Sequence, residues 1–143
     1  MRKNISWWLR LAEYYATASK DPSTKVGAIL VDEFDRIVSA GYNGFPVGTY
    51  DDEHVLENRK RKLLRTLHAE ANAILFAKGP AKTLYCTHPP CSQCMAMAIQ
   101  KGIERIYWWK QEMHPDWKES FKEGQILAQE AGVYCYAVTR DEK

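Results

Sequence analysis

The order in which two hydrophobic periods alternate along the chain restricts its fold more than any other feature. Five short runs, "VGAILVD" (26–32), "RIVSAGY" (36–42), "TLYCTH" (83–88), "IERIYWW" (103–109) and "VYCYAV" (133–138), are apolar or alternating, as strands are. The first two flank a polar "EFD" turn and form a hairpin; "NGFPVG" (43–48) then breaks the pattern as a loop. Helical spacing predicts an amphipathic helix over residues 4–19, carried by Ile5, Trp8, Leu9, Ala12, Tyr15 and Ala16, with Asn4 as cap and Asp21-Pro22 as stop. Residues 55–78 are helical in their second half, and further helices are expected at 91–101 and 115–131. After a leading helix the order is β-β-α-β-α-β-α-β. The later strands should therefore be parallel, with helices packed on both faces in a three-layer α/β domain.

A chain of 143 residues makes one domain, 1–143, with a real core and no room for a second. No repeat, linker or low-complexity segment interrupts it. Hydrophobic residues at 45% and charged residues at 27% give a globular balance. A net charge of +2 and a pI near 8.3 are too mild to imply duplex nucleic acid as partner. No apolar run reaches membrane-spanning length, and the start "MRKNISWWLRLAEYY" scatters its charges instead of preceding an apolar block. The chain reads as cytoplasmic.

Two polar pairs are costly on packing grounds alone: His68 and Glu70 in "LHAEANAIL", and Cys91 and Cys94 in "PPCSQC". In a cytosolic chain a close cysteine pair means metal binding or redox chemistry before it means a disulfide. Pro90 suits the first turn of a helix, so Cys91 would start that helix and Cys94 would return on the same face. A helix N-terminus also favours the thiolate a metal requires. Zinc needs a third protein ligand and a water for catalysis, or a fourth protein ligand for structure. His54 in "YDDEH" and His114 in "EMHPDW" read as surface residues, and His88 sits three residues before Cys91 across two prolines, a strained chelate. A lone helical histidine is usually a core residue, but here the cysteine pair lacks a third ligand and His68 answers it. Cys86 and Cys135 lie in strand runs, where free cysteine is a small buried hydrophobe.

His68-Ala69-Glu70 and Pro90-Cys91-Ser92-Gln93-Cys94 are similar to the H-x-E…P-C-x-x-C signature of zinc-dependent nucleobase deaminases. Two thiolates and an imidazole leave one tetrahedral position, where zinc lowers the pKa of a bound water enough to supply hydroxide. Glu70, a carboxylate beside that water, would move protons to ring N3 and to the departing amine. The motif fixes the reaction class but not the base. A structural zinc site or a redox C-x-x-C competes, and neither accounts for Glu70.

"KDPSTKVGAILVD" (20–32), "GYNGFPVGTYDD" (41–52), "HAEANAIL" (68–75) and "PCSQC" (90–94) together resemble the deoxycytidylate deaminases of the cytidine deaminase superfamily, over roughly residues 5–138. That resemblance implies a three-layer α/β/α fold with a five-stranded mixed sheet. It implies conversion of dCMP to dUMP and ammonia, for thymidylate synthesis, with one catalytic Zn2+. Deamination of dCTP, or of both nucleotides, is the alternative, ahead of a polynucleotide or tRNA substrate. It further implies that Asn43 binds the sugar or base, Thr24 and Lys25 lie near sugar and phosphate, the Ala69 N–H faces the pyrimidine carbonyl, and the Pro89 carbonyl faces the exocyclic amine. For Asn43 the plain alternative is a turn asparagine before glycine. Family members are commonly hexamers activated by dCTP and inhibited by dTTP. Gly41, Asn43, Gly44, Asp51 and Asp52 would then serve the effector, with Mg2+ accompanying its triphosphate. No cysteine precedes residue 86, so a second, structural zinc site is not expected.

Two features remain outside this scheme. "NRKRKLLR" (58–65) carries five cations and reads first as a solvated helical face, next as an oligomer contact or a pocket for effector phosphates. "YWW" (107–109) ends a strand where α/β sheets present ligands, yet three large aromatics together favour packing. The rival to an enzyme is a nucleic-acid module built from these two features around a structural zinc.

Overall fold

A computed structural model describes residues 4–141; residues 1–3 and 142–143, the ends of the expected 1–143 domain, lie outside the described residues. Helix α1 (Ile5–Ala16) leads into the hairpin β1 (Gly27–Val31) and β2 (Ile37–Tyr42). Three short helices follow, α2 (Glu53–Leu56), α3 (Arg59–Arg65) and α4 (Ala69–Leu75). The chain closes with β3 (Thr83–Cys86), α5 (Ser92–Lys101), β4 (Arg105–Trp109), α6 (Pro115–Ala131) and β5 (Tyr134–Val138). The five strands form one mixed sheet in the order β2-β1-β3-β4-β5. β1 runs antiparallel to both neighbours, while β3, β4 and β5 are parallel. The α/β class, the parallel later strands and the mixed five-stranded sheet agree with the sequence reading.

Alternation along the strands divides the core into two layers. On one face α1 places Trp8, Leu9 and Ala12 against Ile29, Val31, Tyr85 and Trp109. On the other, Ala69 and Ala73 of α4, Met95 and Ala98 of α5 and Ala128 of α6 cover Leu30, Leu84, Ile106 and Trp108. Trp108 and Trp109 are both buried, so the aromatic strand end is mainly packing. Among the described residues no helix is long and apolar enough to cross a membrane.

Three local expectations need correction. The first helix stops at Ala16 rather than reaching residue 19, because Thr17, Ala18 and Ser19 turn back onto the carbonyls of Tyr14, Tyr15 and Ala16. Residues 55–78 hold the end of α2 and all of α3 and α4 rather than one helical half. Leu67 leaves helical geometry to exchange both backbone bonds with Gly44 (3.0 and 2.8 Å), which separates α3 from α4. Pro90 precedes the cap of α5 instead of standing in its first turn, and Cys91 is the N-cap with extended backbone (φ −69°, ψ 171°).

Candidate metal centre and active site

The break between α3 and α4 creates the first ligand. His68 caps α4 in an extended conformation, yet its side chain makes no capping bond. Its Nδ1 instead stands 3.4 Å from Cys91 Sγ and 3.3 Å from Cys94 Sγ. Cys91 caps α5, and the backbone N–H of Cys94 donates to its sulfur at 3.4 Å. The three donor atoms lie within 4.8 Å of one another, and no other such group occurs among the described residues.

A tetrahedral zinc, with bonds of about 2.0 Å to nitrogen and 2.3 Å to sulfur, separates such donors by roughly 3.5 Å. The observed spacing and the soft thiolate-imidazole set both fit zinc. The hydrogen bond from Cys94 lowers the pKa of Cys91, against the effect of burial. Cys91 in turn raises that of Cys94, with burial adding to the rise. Its hydrogen bond with Cys91 raises the pKa of His68, against burial.

Glu70 lies in the first turn of α4, two residues beyond His68, and is 4% exposed. Burial raises its pKa to about 7, although His68 pulls the other way. A carboxylate that changes charge near neutrality beside a metal triad is suited to proton transfer.

His68, Glu70 and Cys91 open into a cavity of about 420 Å3 at the carboxyl ends of the parallel strands β3 and β4, the end where open α/β sheets hold ligands. Asn43, Thr24, Ala69 and Pro89 line it; Lys25 does not. Asn43 is 6% exposed, and its amide already clamps the preceding loop. Its Oδ1 accepts from the Val26 N–H and its Nδ2 donates to the Thr24 carbonyl, both at 2.9 Å. One donor and one acceptor site remain on the amide for a ligand.

The residues expected at the effector site have these surroundings. Gly41 is buried under α4, where a Cβ would stand 2.5 Å from the Ala69 carbonyl oxygen; it is a close-packing position. Gly44 pairs with Leu67, Asp51 pairs with Lys20 at 2.8 Å, and Asp52 caps α2. Apart from Asn43, none of the five lines the cavity.

Sequence reasoning passed over Lys62. Its ammonium is buried and bonds Asp21 Oδ1 (3.0 Å) and Ser23 Oγ (3.1 Å). Asp21 also accepts from the N–H groups of Ser23 and Thr24. Burial would raise the pKa of Asp21, but those two N–H groups and Lys62 together hold it below 3.8. Lys62, Asp21, Ser23 and Arg59 all line the cavity, so one side of the "solvated" basic helix faces inward. Nothing in a run of five cations singles out Lys62; only the rotation of α3 against the 21–24 turn does. The cavity is completed by His114, read as surface from sequence, and by Trp117, set edge-on to His68 at 6.5 Å.

The donor set and the adjacent buried carboxylate define a metal-assisted hydrolytic site. The family model for the cytidine and deoxycytidylate deaminase zinc-binding region matches residues 2–110, and the chain belongs to that family. It is 42% identical over 137 residues to an uncharacterized deaminase in the luxG 3' region of Aliivibrio fischeri, covering 90% of this chain and 92% of that one. It is 33% identical over 135 residues to the deoxycytidylate deaminase of Mus musculus, covering 89% and 75%. The dCMP deaminase of cyanophage S-TIM5, crystallised with dCMP and dUMP, superposes with a TM-score of 0.76 at 27% identity, over 96% and 99% of the two chains.

Proposed function

We propose that the chain hydrolyses dCMP to dUMP and ammonia. The observation that carries this reading is Glu70, buried in the cavity wall two residues from one member of a His/Cys/Cys triad. Relatives that deaminate deoxycytidylate support the choice of base and sugar.

His68, Cys91 and Cys94 would hold the metal. Zinc, when bound there, supplies an acidified water. Glu70 takes the proton of the attacking water and delivers it to N3 as C4 is attacked. It then takes the proton of the new C4 hydroxyl and passes it to the exocyclic amine, so that the C4–N bond breaks with neutral ammonia leaving and the carbonyl of dUMP forms. The Ala69 N–H lies in the first turn of α4, where backbone donors lack intrahelical partners, and would meet the pyrimidine carbonyl. The Pro89 carbonyl would accept from the exocyclic amine, and the spare amide sites of Asn43 would take a sugar hydroxyl. Thr24, held by the Asp21-Lys62 turn, would lie beside the sugar.

A homo-oligomer, with a hexamer favoured, follows the family resemblance and is supported by exposed Leu64, Leu75 and Phe76 on α3, α4 and its cap. Control by dCTP and dTTP with Mg2+ rests on the resemblance alone.

Ammonia release from dCMP, dCTP, deoxycytidine, CMP and a single-stranded oligonucleotide, measured side by side, tests the reading. Turnover confined to dCMP is expected, and Glu70→Gln should cut it by about 10³-fold while retaining zinc. Full turnover in that variant overturns the mechanism; turnover on dCTP or the oligonucleotide alone overturns the substrate.

A further inference from the structure

The two large aromatic side chains that line the active-site cavity, Trp117 and Phe121, both come from the start of α6, one turn apart on one face. Phe121 is anchored, because it meets the buried Trp108 edge-on at 5.8 Å. Between the two, Ser120 ties α6 to the start of α5. Its Oγ accepts from the Ser92 N–H at 2.9 Å and donates to Ser92 Oγ at 3.1 Å. Trp117 therefore stands on a rigid element, yet it is 37% exposed. Of the five tryptophans only Trp117 lines this cavity; Trp8, Trp108 and Trp109 are packed in the core.

Other parts of the lining are polar: Asp21, Thr24, Asn43 and Glu70 bring donors and acceptors from the 21–24 turn, the loop after β2 and α4. A ligand that matches both has a hydrogen-bonding edge and an apolar face, the make-up of a nucleobase. Hydrogen bonds to a ring edge lie in the plane of the ring. The Ala69 N–H, the Pro89 carbonyl and Glu70 would thus fix where a pyrimidine sits and leave its tilt free. An aromatic face laid against the ring removes that freedom. Trp117 stands where it could do so, beside a metal ligand: its ring centroid is 6.5 Å from that of His68, and the two planes cross at 78°. A base parallel to the indole would stand nearly perpendicular to the imidazole.

We propose that Trp117 binds and orients the base: the pyrimidine ring stacks on its indole, and that contact sets the tilt at which C4 meets the attacking water. The inference rests on the deaminase reading of the same cavity. Leucine at this position keeps an apolar wall without an aromatic face, whereas phenylalanine keeps both. Removing an aromatic platform under a base weakens binding by about tenfold or more, so the two replacements should separate stacking from simple filling of space.

The test titrates the zinc-loaded full chain, carrying Glu70→Gln to prevent turnover, with dCMP and in parallel with dAMP, following heat and indole emission. The expected result is quenching by dCMP that disappears in Trp117→Phe while the heat shows binding mostly retained. Trp117→Leu should bind dCMP about tenfold more weakly at unchanged zinc content. In the chain with Glu70 intact, Trp117→Leu should raise KM for dCMP by the same factor, and Trp117→Phe should restore it. Equal affinity of parent and Trp117→Leu overturns the proposal. So does an equal loss in the leucine and phenylalanine variants, which would make the side chain a spacer, or quenching that persists in Trp117→Phe. The two readings fail separately. Binding of dCMP that ignores Trp117 keeps the substrate and overturns the platform; quenching by dAMP alone, lost in Trp117→Phe, keeps a base platform and overturns the substrate. Absence of quenching by either nucleotide overturns the platform.

Discussion

At the scale of single residues, the site combines groups whose chemistry is visible in sequence with one whose role only packing reveals. His68, Glu70, Cys91 and Cys94 were legible because each is an expensive residue to bury and together they would serve one ion and one proton transfer. Lys62 was not, because its four cationic neighbours look the same and its partner Asp21 lies far away in sequence. The Lys62–Asp21 pair has side chains only 5% and 11% exposed, so removing one partner leaves a charge with little solvent. Lys62→Met should cost about 3 kcal/mol, read from the urea midpoint, and Asp21→Asn in the same chain should recover most of it. A loss under about 0.5 kcal/mol would class the pair with exposed ones. The pH dependence has a definite sign. The folded pKa of Asp21 lies below its ordinary 3.8, so its contribution is complete above that value and disappears as pH falls through the lower, folded one. Acid unfolding of Asp21→Asn should accordingly be shallower below pH 4 than that of the parent.

At the scale of elements, the strands and α6 were read within a residue or two, since their hydrophobic periods are strong and their ends carry capping or turn residues. The stretch from Glu53 to Leu75 was not, because its division into α2, α3 and α4 depends on the Gly44–Leu67 bridge, a contact between distant segments. That bridge matters for function: it ends α3 and frees His68 to begin α4 with its ring turned to the thiols. Gly41 governs the same helix from below. A Cβ there would stand 2.5 Å from Ala69 O and 2.6 Å from Ala73 N, both backbone atoms, so α4 must move. Gly41→Ala should therefore lower turnover by about 10²-fold and reduce zinc content, although it touches neither metal nor cavity. Gly44→Ala, whose Cβ would meet nothing within 4 Å, should leave both near the parent value. Equal effects of the two substitutions on activity would show that α4 tolerates the displacement.

At the scale of the whole molecule, the metal centre joins two helices that the core binds unequally. α5 is anchored by Met95 and Ala98 and tied to α6 through Ser92 and Ser120. α4 has seven residues and buries three alanines and Glu70. Helices this short are marginal alone, and alanines return little apolar burial. α4 also carries a carboxylate that burial disfavours in its charged form. Zinc bridging His68 to Cys91 and Cys94 would hold α4 onto α5, so metal affinity and fold stability are linked. At free zinc about a thousandfold above its dissociation constant, that linkage adds about 4 kcal/mol. Denaturant midpoints measured across buffered zinc concentrations should rise logarithmically once the ion exceeds that constant. The amides of α4 should show the largest gain in hydrogen-exchange protection. His68→Ala should flatten the dependence and leave the chain folded, because the sheet and its two apolar layers do not involve the imidazole. A midpoint indifferent to zinc in the parent chain would mean that these three side chains do not hold the ion.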